Sequence, residues 1–356
     1  MSQEIQIGKR VIGLDHPSYF VADIAANHDG DLSRAKDLIH LCAEAGADAA
    51  KFQNFQAETI VSDIGFRTLG PMAHQSSWGK SVFEVYQDAS VNLEWTETLR
   101  NTCMEAGVEY LTTPYSLELV KRLSPFVRAW KLGSGDITWH ELIEALAKEK
   151  KPLLIATGAS CLSEVEAAIG VIKQSHDEIV LMQCNTNYTG SAENFRYVAL
   201  NVLKTYSRKF PDLVLGLSDH TPGLSTTLGA VALGARVIEK HFTDDRSRGG
   251  PDHSFSMDPR SWREMVDRTR ELEAALGNEE KQIMDNERDS AVVQRRAIRA
   301  ARNLSSGEIL TIQDLIPLRP CPGDGLPPFR IIELVGRRVA QDILAGDLVT
   351  FSKLEE

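Results

Sequence analysis

The chain has 356 residues, a formal net charge of −11 at pH 7, and 42% hydrophobic against 25% charged residues. This acidic balance argues against a nucleic-acid-binding protein, and the chain carries no basic stripe. No apolar run has the length needed to span a bilayer, and residues 1–10 lack the apolar stretch of a secretion signal, so we expect a cytoplasmic protein without a membrane partner. The five cysteines are scattered without a C-x-x-C pair, which favours neither a disulfide framework nor a thiolate zinc site.

Short apolar, β-rich runs alternate with helical periodicity from about residue 19 to residue 277. The pattern predicts strands at 19–26, 49–55, 109–114, 129–134, 152–157, 179–186, 213–218 and 236–242. Strands that are apolar almost throughout are typical of parallel sheets covered on both faces.

Helices are predicted between these strands. In the first, apolar residues within 35–45 recur at the spacing of one helix face. The helix after the fifth strand opens with a capping-box pattern, Ser163-Glu164-Val165-Glu166. The last helix has Asp258 as its N-cap and Pro259 at its first position.

Eight such βα units predict an α/β fold, a closed (β/α)8 barrel (TIM barrel) over residues 1–277. An open doubly wound sheet is the alternative, but no G-x-G-x-x-G pattern follows the first strand. Residues 5–16 alternate weakly around a Gly-Lys-Arg turn, which predicts an N-terminal hairpin, at about 1–18, that closes the bottom of the barrel.

The composition changes after Gly277. Residues 278–293 are charged and poor in apolar side chains, which indicates a linker or a surface helix. Residues 294–356 have short β-like runs separated by glycine-containing turns, and we expect a small second domain there. A domain of about 60 residues is marginal alone, so it should pack against another surface, such as the open face of a barrel.

Polar residues lie at the carboxyl end of almost every predicted strand. They are Asp23, Asn27 and His28; Lys51 and Gln53; Thr112 and Thr113; Lys131, Ser134 and Asp136; Thr157; Asn185, Thr186 and Tyr188; Ser218, Asp219 and His220; and Glu239, Lys240, His241 and Asp244. Each has an ordinary structural explanation by itself, as a turn residue, a rim lysine or a satisfied histidine. Because the carboxyl ends of all eight strands meet on one face, where such barrels carry active sites, the whole set predicts an active site.

Two features of this set suggest chemistry. His220 and His241 end adjacent strands, and we expect both at a solvent-facing rim where they share one divalent ion. Lys51 and Lys131, with nearby hydroxyls, are suited to a phosphate and a carboxylate. Asp219 is expected to orient the ligands from behind.

With these residues, the chain resembles the sialic acid synthase family over nearly its whole length. The matching stretches, in order, are DIAANHDG (23–30), KFQ (51–53), TTPYS (112–116), KLGSGD (131–136), ATG (156–158), GLSDHT (216–221), and EKHFTDD with GPDHSFSMDP (239–259). The stretch from Arg295 to the RPCPGDGLPP loop resembles the family's small antifreeze-like (SAF) domain. The resemblance implies an enzyme that condenses phosphoenolpyruvate and water with an N-acylated hexosamine, giving a nine-carbon keto acid and phosphate.

The resemblance also implies roles for individual residues. The metal ligands would be His220 and His241, with Mn²⁺ as the first choice and Mg²⁺ or Co²⁺ as alternatives. Phosphoenolpyruvate would be held by Lys51, Lys131, Ser134, Thr157, Ser218 and either Asn185 or Thr186. The acceptor sugar would be faced by Asp23, Tyr188, Glu239, Asp252 and, from the SAF domain, Arg319. Catalysis would depend on Asp23, Lys51, Lys131, His220, Glu239 and His241. Members of the family are homodimers in which the SAF domain caps the partner's barrel.

The sequence departs from the family at Asp23, where a glutamate is usual, and this leaves the acceptor open. N-acetylmannosamine is one candidate, and a diacetamido-dideoxyhexose leading to legionaminic or pseudaminic acid is the alternative. A deoxyoctulosonate-phosphate-type synthase would need a basic pocket for a second phosphate and leaves the SAF domain unexplained. A carbohydrate-binding scaffold on an inactive barrel is disfavoured, because both histidines and both lysines are present.

Overall fold

The structure, a computed structural model, describes residues 4–69 and 79–355. The chain divides into two compact units, Met1–Gly277 and Asn278–Glu356. The strands of the described residues are β1 (Ile5–Ile7), β2 (Arg10–Ile12), β3 (Tyr19–Asp23), β4 (Ala49–Asn54), β5 (Glu109–Pro114), β6 (Trp130–Leu132), β7 (Leu153–Ala156), β8 (Ile179–Cys184), β9 (Val214–Asp219), β10 (Ala235–His241), β11 (Ala297–Ala300) and β12 (Leu315–Leu318).

In the first unit, strands β3 to β10 form one parallel sheet with the order β5-β4-β3-β10-β9-β8-β7-β6. The two end strands, β5 and β6, contact each other, so the described part of the sheet closes into a near-complete barrel. The first barrel strand pairs with the last, β3 with β10, as a barrel requires. The predicted (β/α)8 barrel is therefore confirmed.

Helices separate the strands. The described helices are α1 (Leu32–Glu44), α2 (Ala57–Ile60), α3 (Asp63–Leu69), α4 (Val82–Ala89), α5 (Thr96–Ala106), α6 (Leu117–Leu123), α7 (His140–Lys148), α8 (Leu162–Ile172), α9 (Val202–Lys209), α10 (Ser225–Ala232), α11 (Pro259–Leu276) and α12 (Arg288–Gln294). None of these helices is long and apolar enough to cross a membrane.

The predicted helix ends are correct in one case and wrong in another. Asp258 caps α11 through a hydrogen bond from the Ser261 amide, 2.8 Å long, with Pro259 at the first position as predicted. The predicted cap of α8, Ser163, is wrong, because the N-cap is Cys161 and the helix begins at Leu162. There the Glu164 carboxylate accepts a 2.7 Å bond from the backbone amide of Cys161.

The inside of the barrel changes from apolar to polar along each strand. At the amino ends, Tyr19 and Val21 on β3 and Val237 on β10 point inward with other apolar side chains. Because side chains alternate along a strand, the next inward positions are Asp23 and Glu239. The polar groups predicted from the strand ends therefore lie above an apolar floor.

The hairpin of β1 and β2 completes that floor. The two strands pair antiparallel, with Ile5 opposite Ile12. Ile5, Ile7 and Ile12 are almost fully buried, and they pack in one cluster with the inward apolar residues of the barrel strands. The hairpin thus keeps water out of the end of the barrel opposite the polar layer.

The second unit has its own small core. Strands β11 and β12 pair antiparallel, and further residues join through isolated bridges, such as Leu304 with Ile343. Ile298, Leu334 and Val349 are fully buried in its apolar cluster. The charged stretch before it contains α12, whose residues are all at least partly exposed, as expected of a surface helix.

Candidate active site

The polar layer at the carboxyl ends of the barrel strands contains a buried ion pair between Lys51 and Asp23. The Lys51 ammonium lies 2.7 Å from Asp23 Oδ2, and each side chain is 2% exposed. Gln53 donates to the same oxygen at 2.9 Å. Burial by itself would raise the pKa of Asp23, but the charge of Lys51, the neighbouring His241 and the hydrogen bonds from Lys51 and Gln53 together outweigh it, and the pKa lies below its usual value. Asp23 is therefore an anion held in place by its neighbours.

A second buried pair lies across the barrel, between Lys131 and Glu239. Lys131 Nζ is 3.3 Å from Glu239 Oε1, and the Ser218 hydroxyl donates to the same oxygen at 3.0 Å. The other oxygen of Glu239 is buried and has no hydrogen-bond partner among the described residues. Two lysines thus meet two carboxylates in one enclosed layer, and Glu239 keeps one acceptor available.

Next to Lys131, hydroxyl groups surround the backbone of Gly158. The Gly158 amide donates to Ser134 Oγ at 2.9 Å, and a Cβ at this glycine would lie 1.9 Å from Thr186 Oγ1. Thr186 Oγ1 is buried and has no hydrogen-bond partner among the described residues. This arrangement offers donors to an anion and requires glycine at 158.

Two other predicted anion ligands point elsewhere. Thr157 donates to the Met182 carbonyl at 2.9 Å and accepts from the Tyr206 hydroxyl on α9, so its hydroxyl faces the barrel wall. The Asn185 side chain donates to the Tyr197 carbonyl at 3.2 Å. Of the two residues that the sequence left open, Thr186 is the one that faces the hydroxyl cluster.

His220 and His241 lie side by side, with ring centroids 5.4 Å apart. His220 Nδ1 is 3.0 Å from the Asn185 carbonyl, and His241 Nε2 is 3.5 Å from Asp23 Oδ2. His241 Nδ1 is buried without a hydrogen-bond partner among the described residues. Burial lowers the pKa of His241 to about 4, so its ring is neutral at physiological pH and has a lone pair available.

Two expectations about these strand ends were wrong. The histidines do not lie at a solvent-facing rim, since His220 is 8% and His241 is 6% exposed. Asp219 does not support them, because alternation along β9 turns it to the helix layer. There it pairs with Lys240 and accepts a 2.6 Å bond from the Thr226 hydroxyl. Asp219 and Lys240 therefore form a structural pair outside the barrel interior.

A wall of aromatic and acidic side chains stands beside the histidines. The Tyr188 ring lies 4.3 Å from the His220 ring, and the Phe255 ring lies 4.9 Å from that of His241. Asp252 Oδ2 accepts from the Ala26 amide at 3.2 Å. Burial raises the pKa of Asp252 to about 6, so this carboxyl group can change its protonation state near neutral pH.

Two cavities open above this layer and share Ala26 and Tyr188. The inner one, about 140 Å³, reaches Gln53, His241 and Asp252. The outer one, about 720 Å³, continues past α4 to charged and glycine residues; these are Asp29, Lys80, Asp88, Gly249 and Gly250. The site is thus a deep pocket with a wide mouth.

Sequence reasoning missed several residues that line this pocket. Val85 and Tyr86 come from α4, and Tyr115 follows β5. The signal for α4 was present as a capping box, in which Ser81 accepts from the Glu84 amide. Asp136, singled out only as a strand-end residue, has a buried oxygen with no described partner, and burial raises its pKa to about 6.

The remaining predicted residue, Arg319, belongs to the second unit, where it is exposed. It is not a residue of the barrel, and its role stays a prediction.

The two histidines fit a divalent ion as a pair. Among residues 4–69 and 79–355, no group of three or more His, Cys, Asp or Glu side chains is arranged to hold a metal. Two imidazoles that bind one ion at about 2.1 Å place their ring centroids on the order of 5 Å apart, close to the separation seen here. The orphaned Nδ1 of His241 is a second reason to expect a ligand there.

The fold and this pocket define a (β/α)8 barrel with an enclosed polar layer at the carboxyl ends of its strands, and comparisons with known proteins identify its family. Residues 38–281 match the model of the NeuB family, and residues 295–355 match that of the SAF domain. The chain therefore belongs to the NeuB family and carries a C-terminal SAF domain.

Several relatives are named as legionaminic acid, N-acetylneuraminate-9-phosphate or pseudaminic acid synthases. The chain is 35% identical to the N,N'-diacetyllegionaminic acid synthase of Legionella pneumophila, over 95% of this chain and 94% of the relative. It is 30% identical to the human N-acetylneuraminate-9-phosphate synthase, over 96% and 93%. The sialic acid synthetase of Leptospira borgpetersenii superposes with a TM-score of 0.71 at 27% identity, over 82% of this chain and 95% of that structure.

Proposed function

We propose that this protein is a metal-dependent nonulosonic acid synthase. It would join phosphoenolpyruvate to an open-chain N-acyl hexosamine, consume one water, and release phosphate and a nine-carbon 2-keto-3-deoxy acid. The observation that carries the proposal is the enclosed polar layer in which Lys51 and Lys131 lie with the paired histidines. The family and the names of its members support the same reaction class.

Phosphoenolpyruvate suits the part of the layer that contains the lysines and hydroxyls. Its phosphate and carboxylate would take Lys51 and Lys131 as charged donors, with Ser134 and Thr186 completing the phosphate's hydrogen bonds. In the absence of substrate each lysine is already paired with a carboxylate, so the layer carries no surplus of positive charge. A highly charged anion therefore calls for a further cation, and the adjacent histidine pair can hold one.

His220 and His241 would hold this divalent cation, Mn²⁺ in preference to Mg²⁺ or Co²⁺, and it would supply Lewis-acid polarisation of the acceptor's carbonyl group. The chain's own residues would align the two substrates, which removes much of the entropic cost of bringing them together. C3 of phosphoenolpyruvate forms a bond to the acceptor's aldehyde carbon, and the aldehyde oxygen gains a proton. Water adds at C2, and the bond from C2 to the phosphate oxygen breaks.

Glu239 and Asp252 are placed for the proton transfers of this sequence. The free oxygen of Glu239 lies beside the anion-binding lysine and can accept a proton from the attacking water. Asp252, with a pKa of about 6, can donate a proton or a hydrogen bond to the acceptor. Tyr188 and Asp23 would complete the acceptor side, and Arg319 of a partner's SAF domain would bind the N-acyl oxygen in a domain-swapped homodimer.

The acceptor distinguishes the candidates within this class. N-acetylmannosamine would make the protein a sialic acid synthase, and a diacetamido-dideoxyhexose would make it a legionaminic or pseudaminic acid synthase. The similarity to the Legionella pneumophila enzyme supports the second group. A deoxyoctulosonate-phosphate-type reaction with a phosphorylated pentose is the minor alternative.

Phosphate release with phosphoenolpyruvate and each acceptor, followed by mass spectrometry of the product, tests the proposal. We expect phosphate with one N-acyl hexosamine, none with phosphoenolpyruvate alone, loss of turnover after exhaustive chelation and recovery with Mn²⁺. Full activity after chelation would contradict the metal. Activity with none of these acceptors, although phosphoenolpyruvate binds, would contradict the synthase itself.

A further inference from the structure

The loop between β10 and α11 sends two side chains to the pocket and one away from it. Asp252 and Phe255 face the site, next to His241. Between them, His253 is wholly buried and turns in the other direction. Its Nε2 lies 2.9 Å from Asp29 Oδ1, and its Nδ1 lies 2.7 Å from the Thr243 hydroxyl.

The contact with Asp29 assigns one proton of the His253 ring. A carboxylate only accepts hydrogen bonds, so the nitrogen facing Asp29 must carry a proton and donate it. In the neutral ring, Nδ1 then accepts from the Thr243 hydroxyl. His253 therefore links the β10–α11 loop to Asp29 through one bond and to the end of its own strand through the other.

Asp29 belongs to the loop between β3 and α1, and it is held firmly. Its second oxygen is 3.1 Å from Arg34 Nε and 2.7 Å from Arg248 Nη2. The Asp29 carboxylate thus joins the loops that follow the first and last barrel strands. Within this set of contacts, the His253–Asp29 bond is the one that holds the residue next to Asp252 in the chain.

Other bonds fix the ends of the β10–α11 loop and also contact Asp252 itself. The Asp252 carboxylate accepts from the Ala26 amide at 3.2 Å, and the backbone carbonyl of Asp252 accepts from Ser256 Oγ at 2.7 Å. Asn27 donates to the Phe242 carbonyl and to Ser256 Oγ, each at 2.9 Å. These bonds lie where the loop leaves the strand and where it enters the helix. The middle of the loop, with Asp252, is next to His253, and a displacement of about 1 Å in a reacting group can cost roughly a hundredfold in rate.

We infer that His253 and Asp29 form a positioning pair that holds Asp252 and Phe255 in register with the acceptor sugar, while leaving the phosphoenolpyruvate side untouched. The inference rests on the proposed function. It assigns a role to a buried imidazole that touches neither substrate. The anion-binding residues lie on other strands, β4, β6 and β9, and after β8, so their geometry does not depend on this bond.

Two substitutions of His253, to Gln and to Asn, distinguish the effect of its bond to Asp29 from that of its bond to Thr243. In His253→Gln the amide nitrogen is as many bonds from Cβ as Nε2 is, so it can still donate to Asp29 across the loops. In His253→Asn the amide ends where Nδ1 was, so it can reach Thr243 but not Asp29. His253→Ala removes both bonds. Asp29→Asn keeps an acceptor for His253 but removes the charge that Arg34 and Arg248 contact.

We expect His253→Asn and His253→Ala to raise the acceptor KM by about 10- to 100-fold, because each loses a buried hydrogen bond to a charged group. The phosphoenolpyruvate KM should stay unchanged in both. His253→Gln should recover most of the acceptor KM, and Asp29→Asn should lie between. The matched control is His176→Gln, a mostly buried histidine that lies 3.8 Å from the Glu178 carboxylate ahead of β8, at the opposite end of the barrel. It should leave both KM values as in the wild type.

Steady-state kinetics with each substrate varied in turn, together with thermal melts of every variant, test the inference. A shift in acceptor KM that follows the order Gln, Asn, Ala supports it. It is overturned if His253→Asn equals the wild type while His253→Gln equals His253→Ala, since the Thr243 bond would then be the important one. It is also overturned if both KM values rise together in proportion to the loss of melting temperature. A wild type that releases no phosphate with any acceptor would instead contradict the proposed function.

Discussion

Two buried lysine–aspartate pairs lie at the carboxyl ends of the barrel strands, one inside the barrel and one outside it. The alternation of side chains along each strand decides which pair faces the pocket. Lys51 and Asp23 point inward, where the substrate pocket is. Lys240 and Asp219 point outward against the helices. The residue types are the same, so their functions follow from which face of the strand each occupies.

This difference predicts opposite behaviour when each pair is replaced. Lys51→Met alone should destabilise the fold by about 3–5 kcal/mol, because it leaves the Asp23 carboxylate buried without its cation. Adding Asp23→Asn should restore most of that stability, and phosphate release should remain absent. Replacing the outer pair, by Lys240→Met with Asp219→Asn, should leave most of the turnover intact once the protein is folded.

Urea unfolding and phosphate release on the same preparations provide the measurement. A Lys51→Met/Asp23→Asn protein with near wild-type phosphoenolpyruvate turnover would show that the inner pair is only structural. Loss of turnover in the stable outer double variant would show that Lys240 and Asp219 influence the histidines that follow them.

The sequence predicts which residues lie at the strand ends better than it predicts which way their side chains point. Lys51, Lys131, Glu239 and the two histidines could be singled out because they are polar residues at the carboxyl ends of apolar strands. The sequence predicted Asp219 behind the expected metal ligands and Thr157 at the expected anion site, but both point to the helix layer. A one-residue step along a strand changes the face, and the strand ends bend, so spacing alone does not decide such cases.

At the scale of elements, the strands and long helices were predictable because their apolar faces are periodic. The helices between β4 and β5 were not predicted, although α4 from this segment lines the pocket. The apolar residues of α4 recur at helical spacing, but none of them is fully buried, and the position of the helix depends on tertiary contacts such as that of Phe55 with Tyr86, with rings 5.2 Å apart. Residues 70–78, in the same segment, lie outside the described residues.

The N-terminal hairpin is an element whose contribution to stability can be measured. Ile7 is fully buried in the floor of the barrel, so Ile7→Ala should destabilise the protein by about 2–5 kcal/mol. Leu14, just after the hairpin, is 52% exposed, and Leu14→Ala should stay within about 0.5 kcal/mol of the wild type. Equal urea midpoints for the two variants would show that the hairpin is not part of the cooperative core.

At the scale of the whole molecule, the family resemblance predicts that sites are completed between subunits. Arg319 lies in the second unit and His241 in the barrel, so each can be removed without changing the other. If the SAF domain of one chain serves the barrel of its partner, mixing inactive Arg319→Ala with inactive His241→Ala should restore part of the activity. In such a mixture some sites combine an intact barrel with an intact Arg319.

The measurement is phosphate release after the two proteins have exchanged subunits, with heterodimers verified by native mass spectrometry. Each variant incubated alone is the control. A mixture that stays inactive although heterodimers have formed would show that each SAF domain serves its own barrel.

The hairpin at the barrel floor also bears on how the chain is made. Ile5, Ile7 and Ile12 leave the ribosome about 200 residues before Val214 on β9 and Val237 on β10, with which they pack in one cluster. Contacts this distant in sequence form late and slow the folding of a domain. The three isoleucines therefore stay exposed until almost the entire barrel has been translated. Exposed apolar segments of this kind promote aggregation. The hairpin, although it is made before the barrel strands, is thus among the last parts of the barrel to be buried, and we expect it to be a binding site for chaperones during synthesis.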